Sequence, residues 1–284
     1  MRIHAAGLAL ALWSSLVAVS PAAAQQRPLL TEDPEPIGAG RILLEGGIEV
    51  ARSQKYPASG LEGKLFRIPI AGISFGIGPT AELQLDMPLF DTLSIAKRNP
   101  AAPLASLVTA TGDSTHDVGD LVIATKIRLV AENVGYPAFA VRFATKLPNA
   151  SNESGLGTDT TEFYGSVLVG KTVRSLRIVA NGGLGILPDP VVGYRQNDVV
   201  TYGLSLARAL TDRSEIVGEA NGRFSTRDNP FPGTESRGQA AIGARFTTGS
   251  VRFDGKLFFG FYEEDPRVGF AAGFTYVFTA FQTP

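Results

Sequence analysis

From Arg41 onward the chain is built of segments about ten residues long in which apolar and polar side chains alternate with period two. That rhythm limits the possible folds more than any other feature of the sequence. In TAELQLDMPL, Ala81, Leu83, Leu85 and Met87 fall on one face, and Glu82, Gln84 and Asp86 on the other. In DLVIATKIRLVA, Leu121, Ile123, Ile127 and Leu129 oppose Asp120, Lys126 and Arg128. FAVRFATKL sets Phe139, Val141, Phe143 and Leu147 against Arg142 and Lys146, and SVRFDGKLFFGF sets Val251, Phe253, Leu257, Phe259 and Phe261 against Arg252, Asp254 and Lys256. A helical period of 3.6 would scatter each set over several faces. The chain is all-β.

About twelve such segments follow one another: 41–51, 65–76, 80–88, 118–131, 137–147, 161–171, 175–187, 198–210, 214–225, 237–246, 250–261 and 267–279. Segment 65–76 alternates poorly, and Pro69 removes a ladder donor from it. Long and short connections take turns: RSQKYPASGLEGK is followed by IGPT, a long stretch over 89–117 by ENVGY, and PNASNESGLGTDT by TVR. Short turns at one end and longer loops at the other are the pattern of a transmembrane antiparallel up-and-down β-barrel, and an even strand count leaves both termini at the short-turn end. A secreted soluble β-sandwich is the competing all-β reading, with the apolar face turned inward. Nothing in a sandwich sorts its loops by parity. The last strand, VGFAAGFTYVFTAF, carries Phe270, Phe274, Tyr276 and Phe278 on one face, a pattern that suits recognition by the barrel-assembly machinery.

The first residues read as an export leader. Arg2 and His4 precede the uncharged apolar run Ala5 to Val19, and Pro21-Ala22-Ala23-Ala24 supplies a small-residue cleavage site. The expected organisation is a signal peptide over 1–24, a periplasmic N-terminal segment over 25–40 (including RPLLTEDPEPIGAG) and an outer-membrane barrel over 41–281. An exported chain without any Cys suits a Gram-negative outer membrane. A balance of 26 basic and 27 acidic residues argues against a nucleic-acid partner. The absence of Cys removes thiolate metal sites and a Cys nucleophile.

Between 115 and 170 the chain reads THDVGDLVIATKIRLV and then FAVRFATKLPNASNESGLGTDTTEFYGSVLVGK. A strand opened by Gly119-Asp120 and carrying Lys126, a strand ending in Lys146-Leu147-Pro148, and a loop with Leu156-Gly157-Thr158 resemble the meta-pathway phenol-degradation outer-membrane family. Echoes continue in NGGLGIL at 181–187 and EIVGEANGRF at 215–224, so that the similarity runs over 80–281. The resemblance implies an outer-membrane transporter barrel associated with aromatic catabolism. It does not imply a particular substrate.

Few residues could carry chemistry. The cluster TGDSTHDVGD holds Asp113, Ser114, His116, Asp117 and Asp120, the residue types of a hydrolase, and an outer-membrane lipid hydrolase would have to use His116. Asp113, Asp117 and Asp120 lack the ligand spacing of an EF-hand. A solvated loop histidine is the favoured reading, so no catalytic residue, cofactor or metal site is expected. If the apolar face meets lipid, the lumen receives Lys126, Arg128, Arg142, Lys146, Arg177, Glu219, Arg223, Arg245 and Arg252 as pore-lining residues. Arg41, Glu45, Glu49, Glu82, Asp86, Asp254 and Lys256 join them on the same face, and basic residues outnumber acidic ones. Such a wall hints at tolerance for anionic solutes, or it zips shut into a packed lumen. The stretch 89–117, with apolar LASLV at 104–108, is the candidate gate or plug. The functional expectation is a channel for passive passage of small, aromatic or hydrophobic solutes, with outer-membrane lipid as its surroundings. A closed structural barrel is the alternative.

Overall fold

The computed structural model describes residues 27–281. The leader expected over 1–24 lies outside them.

The strands are β1 (Arg41–Tyr56), β2 (Leu61–Gly76), β3 (Ala81–Pro88), β4 (Asp91–Arg98), β5 (Ser114–Asp117), β6 (Leu121–Val130) and β7 (Ala138–Leu147). They continue as β8 (Glu162–Val173), β9 (Leu176–Pro188), β10 (Gln196–Ala209), β11 (Ser214–Ser225), β12 (Arg237–Thr248), β13 (Val251–Gly260) and β14 (Val268–Thr279). Every pairing is antiparallel, and β1 pairs with both β2 and β14, which closes the sheet. Closure leaves no open edge in the wall.

Fourteen strands make twelve staves. β3 runs along residues 70–76 of β2 and β4 along 61–67, so the two are halves of one stave interrupted at Leu89 and Phe90. β5 and β6 are likewise halves of the next, pairing with β4 and β3. The interruption lies where Pro69 and Pro88 lack an N–H, and it is bridged by Leu89 N donating to Pro69 O, Ile68 N to Phe90 O and Gly119 N to Pro88 O. A Cβ on Gly119 would stand 2.7 Å from the Pro88 ring, so this crossing needs glycine. The faint alternation of segment 65–76 has the same origin: a register shift between Gly47 and Glu49 of β1 moves the inward face of β2 from even to odd positions.

Two boundaries move. RSQKYPASGLEGK is mostly strand, with only 57–60 at the tip, because a second shift between Ala51 and Gln54, with Ser53 at a φ of 58°, breaks the period without ending the ladder. The stretch 89–117 is barrel wall at both ends, over 91–98 and 114–117, and the loop proper is 99–113. Its LASLV run forms a 3-10 turn, Ala105–Leu107, with Leu104 buried and Leu104 N donating to Ala58 O. The loop therefore covers part of the long-loop mouth, with Val108 packed against buried Leu61, Leu65 and Leu93.

The two faces sort as barrel physics requires. Phe143, Phe163, Val167, Leu184, Leu204, Ile242, Phe253 and Phe270 stand exposed on the outside, whereas Glu82, Gln84, Lys126, Glu219, Arg252 and Lys256 are buried inside. A soluble sandwich would reverse this arrangement.

Candidate functional site: a lumen filled by its own N-terminal segment

All nine expected pore-lining residues stand on the inward face, and the structure pairs most of them with the chain itself. Residues 27–40 cross the barrel interior at the short-turn end before entering β1 at Arg41, so the stretch expected as a periplasmic lead lies within the wall of staves. Gly40 N donates to Gly76 O at the rim, and Ile37 N donates to Glu82 Oε2 just inside. A Cβ on Gly76 would meet Gly38 O at 1.8 Å, which leaves glycine alone to fit where the segment turns inward.

The segment TEDPEP supplies the anions that the wall lacks. Lys126 Nζ, 0% exposed, stands 3.0 Å from Glu32 Oε1 and 2.9 Å from Glu82 Oε1, and donates to Asp33 O at 2.9 Å. Gln84 Nε2 donates to both carboxylates, and its Oε1 accepts from Arg142 Nε at 2.8 Å. Arg177 grips Asp33 with two parallel bonds, Nε to Oδ2 at 2.9 Å and Nη2 to Oδ1 at 2.7 Å. Arg128 pairs with Glu35. Bidentate and charge-assisted bonds of this kind are the stronger ones, and they complete a polar interior that would be costly half-made. In the turn beyond β6, the Glu132 carboxyl is held below its ordinary range: burial raises it, but the Thr172 N–H and the Arg177 guanidinium outweigh that.

The remaining five divide into four groups. Glu219 accepts Leu30 N, Thr31 N and Thr31 Oγ1, and pairs with Lys256 Nζ at 3.3 Å. Arg245 Nε and Arg252 Nη2 donate to Arg27 O, and Arg245 also reaches Glu215 at 3.5 Å. Lys146 pairs with Asp120 and Glu162, each at 2.8 Å. Arg223 donates to the Gly233 and Glu235 carbonyls. The basic excess that hinted at anionic solutes is thus largely neutralised by Glu32, Asp33 and Glu35. Sequence reasoning missed these three. The available signal was an acidic run set directly before a barrel with a basic lumen.

At the long-loop end Ala51, Leu61, Leu65, Leu93, Ala241 and Phe258 form an apolar cluster, with Tyr56, Ile95, Val108 and Leu156 against it. The loops above interlock: Ser59 Oγ donates to Gly155 O, Thr115 Oγ1 to Ser154 O, and Asn197 Nδ2 to Thr234 O. Asp189 anchors the 189–195 loop. Burial raises its carboxyl pKa, but the Val191 and Val192 N–H groups and Arg195 outweigh this and hold it below the ordinary aspartate value.

The hydrolase residues do not assemble. His116 faces outward against Phe90 with ring centroids 5.7 Å apart. Asp117 accepts Ser151 N and Oγ, and Asp120 accepts Asn149 N, Ala150 N and Lys146 Nζ. Ser114 and Asp113 are exposed.

A closed twelve-stave barrel with an apolar exterior, short turns at one end and a charged, segment-filled interior has the fold of outer-membrane barrels. No family model matches the sequence, and no curated protein matches it. Among solved structures, an outer-membrane channel of Pseudomonas putida F1 superposes with a TM-score of 0.61 at 15% identity, covering 87% of this chain and 98% of that one. The NanC porin superposes with a TM-score of 0.50 at 8% identity, covering 83% of this chain and 98% of that one.

Proposed function

We propose that the protein is an outer-membrane channel for passive passage of small solutes, held closed by its own segment 27–37. The observation that carries this reading is the match between TEDPEP and the wall: Glu32, Asp33 and Glu35 satisfy Lys126, Arg177 and Arg128 by ionic contacts, whereas every stave is held by a ladder. A segment outside the sheet can leave without breaking the barrel. The short-turn end then faces the periplasm, and the aromatic outward face of β14 is the strand offered to the assembly machinery. The resemblance over 80–281 supports membership of the meta-pathway phenol-degradation family, with aromatic or hydrophobic solutes as cargo. The apolar cluster at the long-loop end gives such solutes a surface to meet first.

Planar-bilayer conductance tests the reading. The exported chain should open in brief steps, and a chain lacking residues 27–37 should give a larger and steadier conductance. Silence from both would establish the alternative, a closed structural barrel, which the interlocked loops favour.

A further inference from the structure

Above the plug, and below the β13–β14 loop, lies a cavity of about 540 Å3. Arg223 of β11 and Arg237 of β12 both line it, and they are directly opposed in the ladder. Two like charges facing each other across neighbouring strands repel. Of the other lumen cations, Lys126, Arg128, Arg142, Lys146, Arg177, Arg245 and Lys256 have carboxylate partners, Arg252 joins the network in which Arg27 meets Asp254 at 3.5 Å, and Arg41, at the rim, donates to Ile37 O. These two donate to uncharged oxygens instead: Arg223 to Glu235 O at 3.0 Å, to Gly233 O at 2.8 Å and to the Tyr164 hydroxyl, Arg237 to Glu264 O at 2.9 Å and Lys55 O at 3.2 Å. Neither makes an ion pair with a carboxylate among the described residues. The one carboxylate lining the cavity, Asp265, is turned to the Gly238 and Tyr262 N–H groups, and nearby Glu235 accepts Gly233 N. Asn221 Nδ2, on the same wall, is buried without an acceptor. Two guanidiniums and one amide without an acceptor thus line a space in which no carboxylate is paired with either arginine. The rest of the lining is of another kind. Leu30 projects from the plug and is 61% exposed although it lies inside the barrel, and Pro266 and the Tyr164 ring add apolar surface.

The geometry points to a binding site for a small monocarboxylate with an apolar or aromatic body. Its carboxylate lies between the Arg223 and Arg237 guanidiniums with Asn221 Nδ2 donating, and its body lies on Leu30. Arginine forks suit a planar carboxylate, and the cavity has the size of a small-molecule site. An anion there also relieves the opposed pair. This names the solute class of the proposed channel and rests on that reading for its role in passage, whereas binding itself does not depend on conduction.

Isothermal titration of the detergent-solubilised full-length barrel with benzoate tests the site, with benzyl alcohol as the uncharged counterpart and acetate as the carboxylate without a body. Benzoate should bind; benzyl alcohol should bind about ten- to a hundredfold more weakly, the range expected when charged hydrogen bonds are lost, and acetate should bind more weakly because it buries no ring. Arg237→Gln and Arg223→Gln should weaken benzoate by a similar factor while the heat-modifiable gel shift stays intact. Leu30→Ser, at a side chain already exposed, should weaken benzoate and leave acetate unchanged. No benzoate binding by the parent barrel, equal binding of benzyl alcohol, or benzoate binding indifferent to both arginine variants would each overturn the proposal. Benzoate binding without conductance in either the intact or the truncated chain would overturn the channel reading and leave this site standing.

Discussion

Lys126→Met puts the closure of the lumen to a direct test. The Lys126 ammonium is fully buried between Glu32, on the plug, and Glu82, on β3, whose side chains are 6% and 1% exposed. Methionine keeps the unbranched shape and removes the charge, which leaves two carboxylates facing each other in a dry site. Breaking a buried pair in this way costs about 3–5 kcal/mol. The wall cannot yield, because Glu82 pairs with Lys126 in a ladder within a closed sheet. The plug can, because Glu32 reaches water when segment 27–37 leaves. Protonating one carboxylate offers a competing escape, and mildly alkaline buffer closes it. The cost therefore falls on docking and should raise the undocked population by about a hundredfold to a few thousandfold. The sequence contains no Cys, so Thr31→Cys, at a side chain buried against Glu219, reports undocking through its maleimide labelling rate. Labelling of Thr31→Cys should accelerate by that factor when Lys126→Met is added, and single-channel openings should lengthen in parallel. Replacing Glu32 and Glu82 by Gln as well should restore protection, since a neutral cluster of the same shape strands no charge. Unchanged labelling in Lys126→Met would refute the reasoning, because the ion pairs would then not be what seats the segment.

Three further outcomes follow. Acid should loosen the 189–195 loop only late: a carboxyl whose folded pKa is depressed stabilises above its unfolded value, 3.8, and that stabilisation is lost as pH falls through the lower folded value. Amide exchange at Val191 and Val192 should thus stay protected at and just below the ordinary aspartate range, and protection lost above it would contradict the anchoring. Gly157→Ala should disorder the 148–161 loop, since its Cβ would stand 1.7 Å from Ala150 O; a cost of about 1–3 kcal/mol should appear as earlier proteolysis of that loop with the barrel intact. His116→Ala should change neither conductance nor the gel shift, because the ring touches Phe90 on the outer surface, and any lipid-hydrolase activity lost with it would revive the enzymatic reading.

Period-two alternation with loop parity carried the stave count and the inward assignment of all nine charged residues, because lipid on one side and water on the other act on each strand separately. It failed where the ladder slips: around Pro69 and Ser53 the backbone continues as strand while the facing pattern inverts. The motif at 115–170, read in the sequence as a resemblance, forms one structural knot. Asp120 ties Lys146 to the Asn149 and Ala150 N–H groups, Gly119 makes room for Pro88, and Gly157 N donates to Ser151 O. All but the last of these contacts join positions far apart in sequence, and neither a period nor a composition encodes them. The plug escaped for a related reason. A polar, Pro-rich stretch with no period reads as a tether, and what draws it inside is the charge left over by a dozen separated strands. Counting the inward charges gave a basic excess. That excess is a property of the unplugged wall, and the same count extended by nine residues upstream of Arg41 would have included Glu32, Asp33 and Glu35 and removed most of the apparent preference for anions. What remains after that correction is local, the opposed Arg223 and Arg237, and only the register of β11 against β12 brings them together.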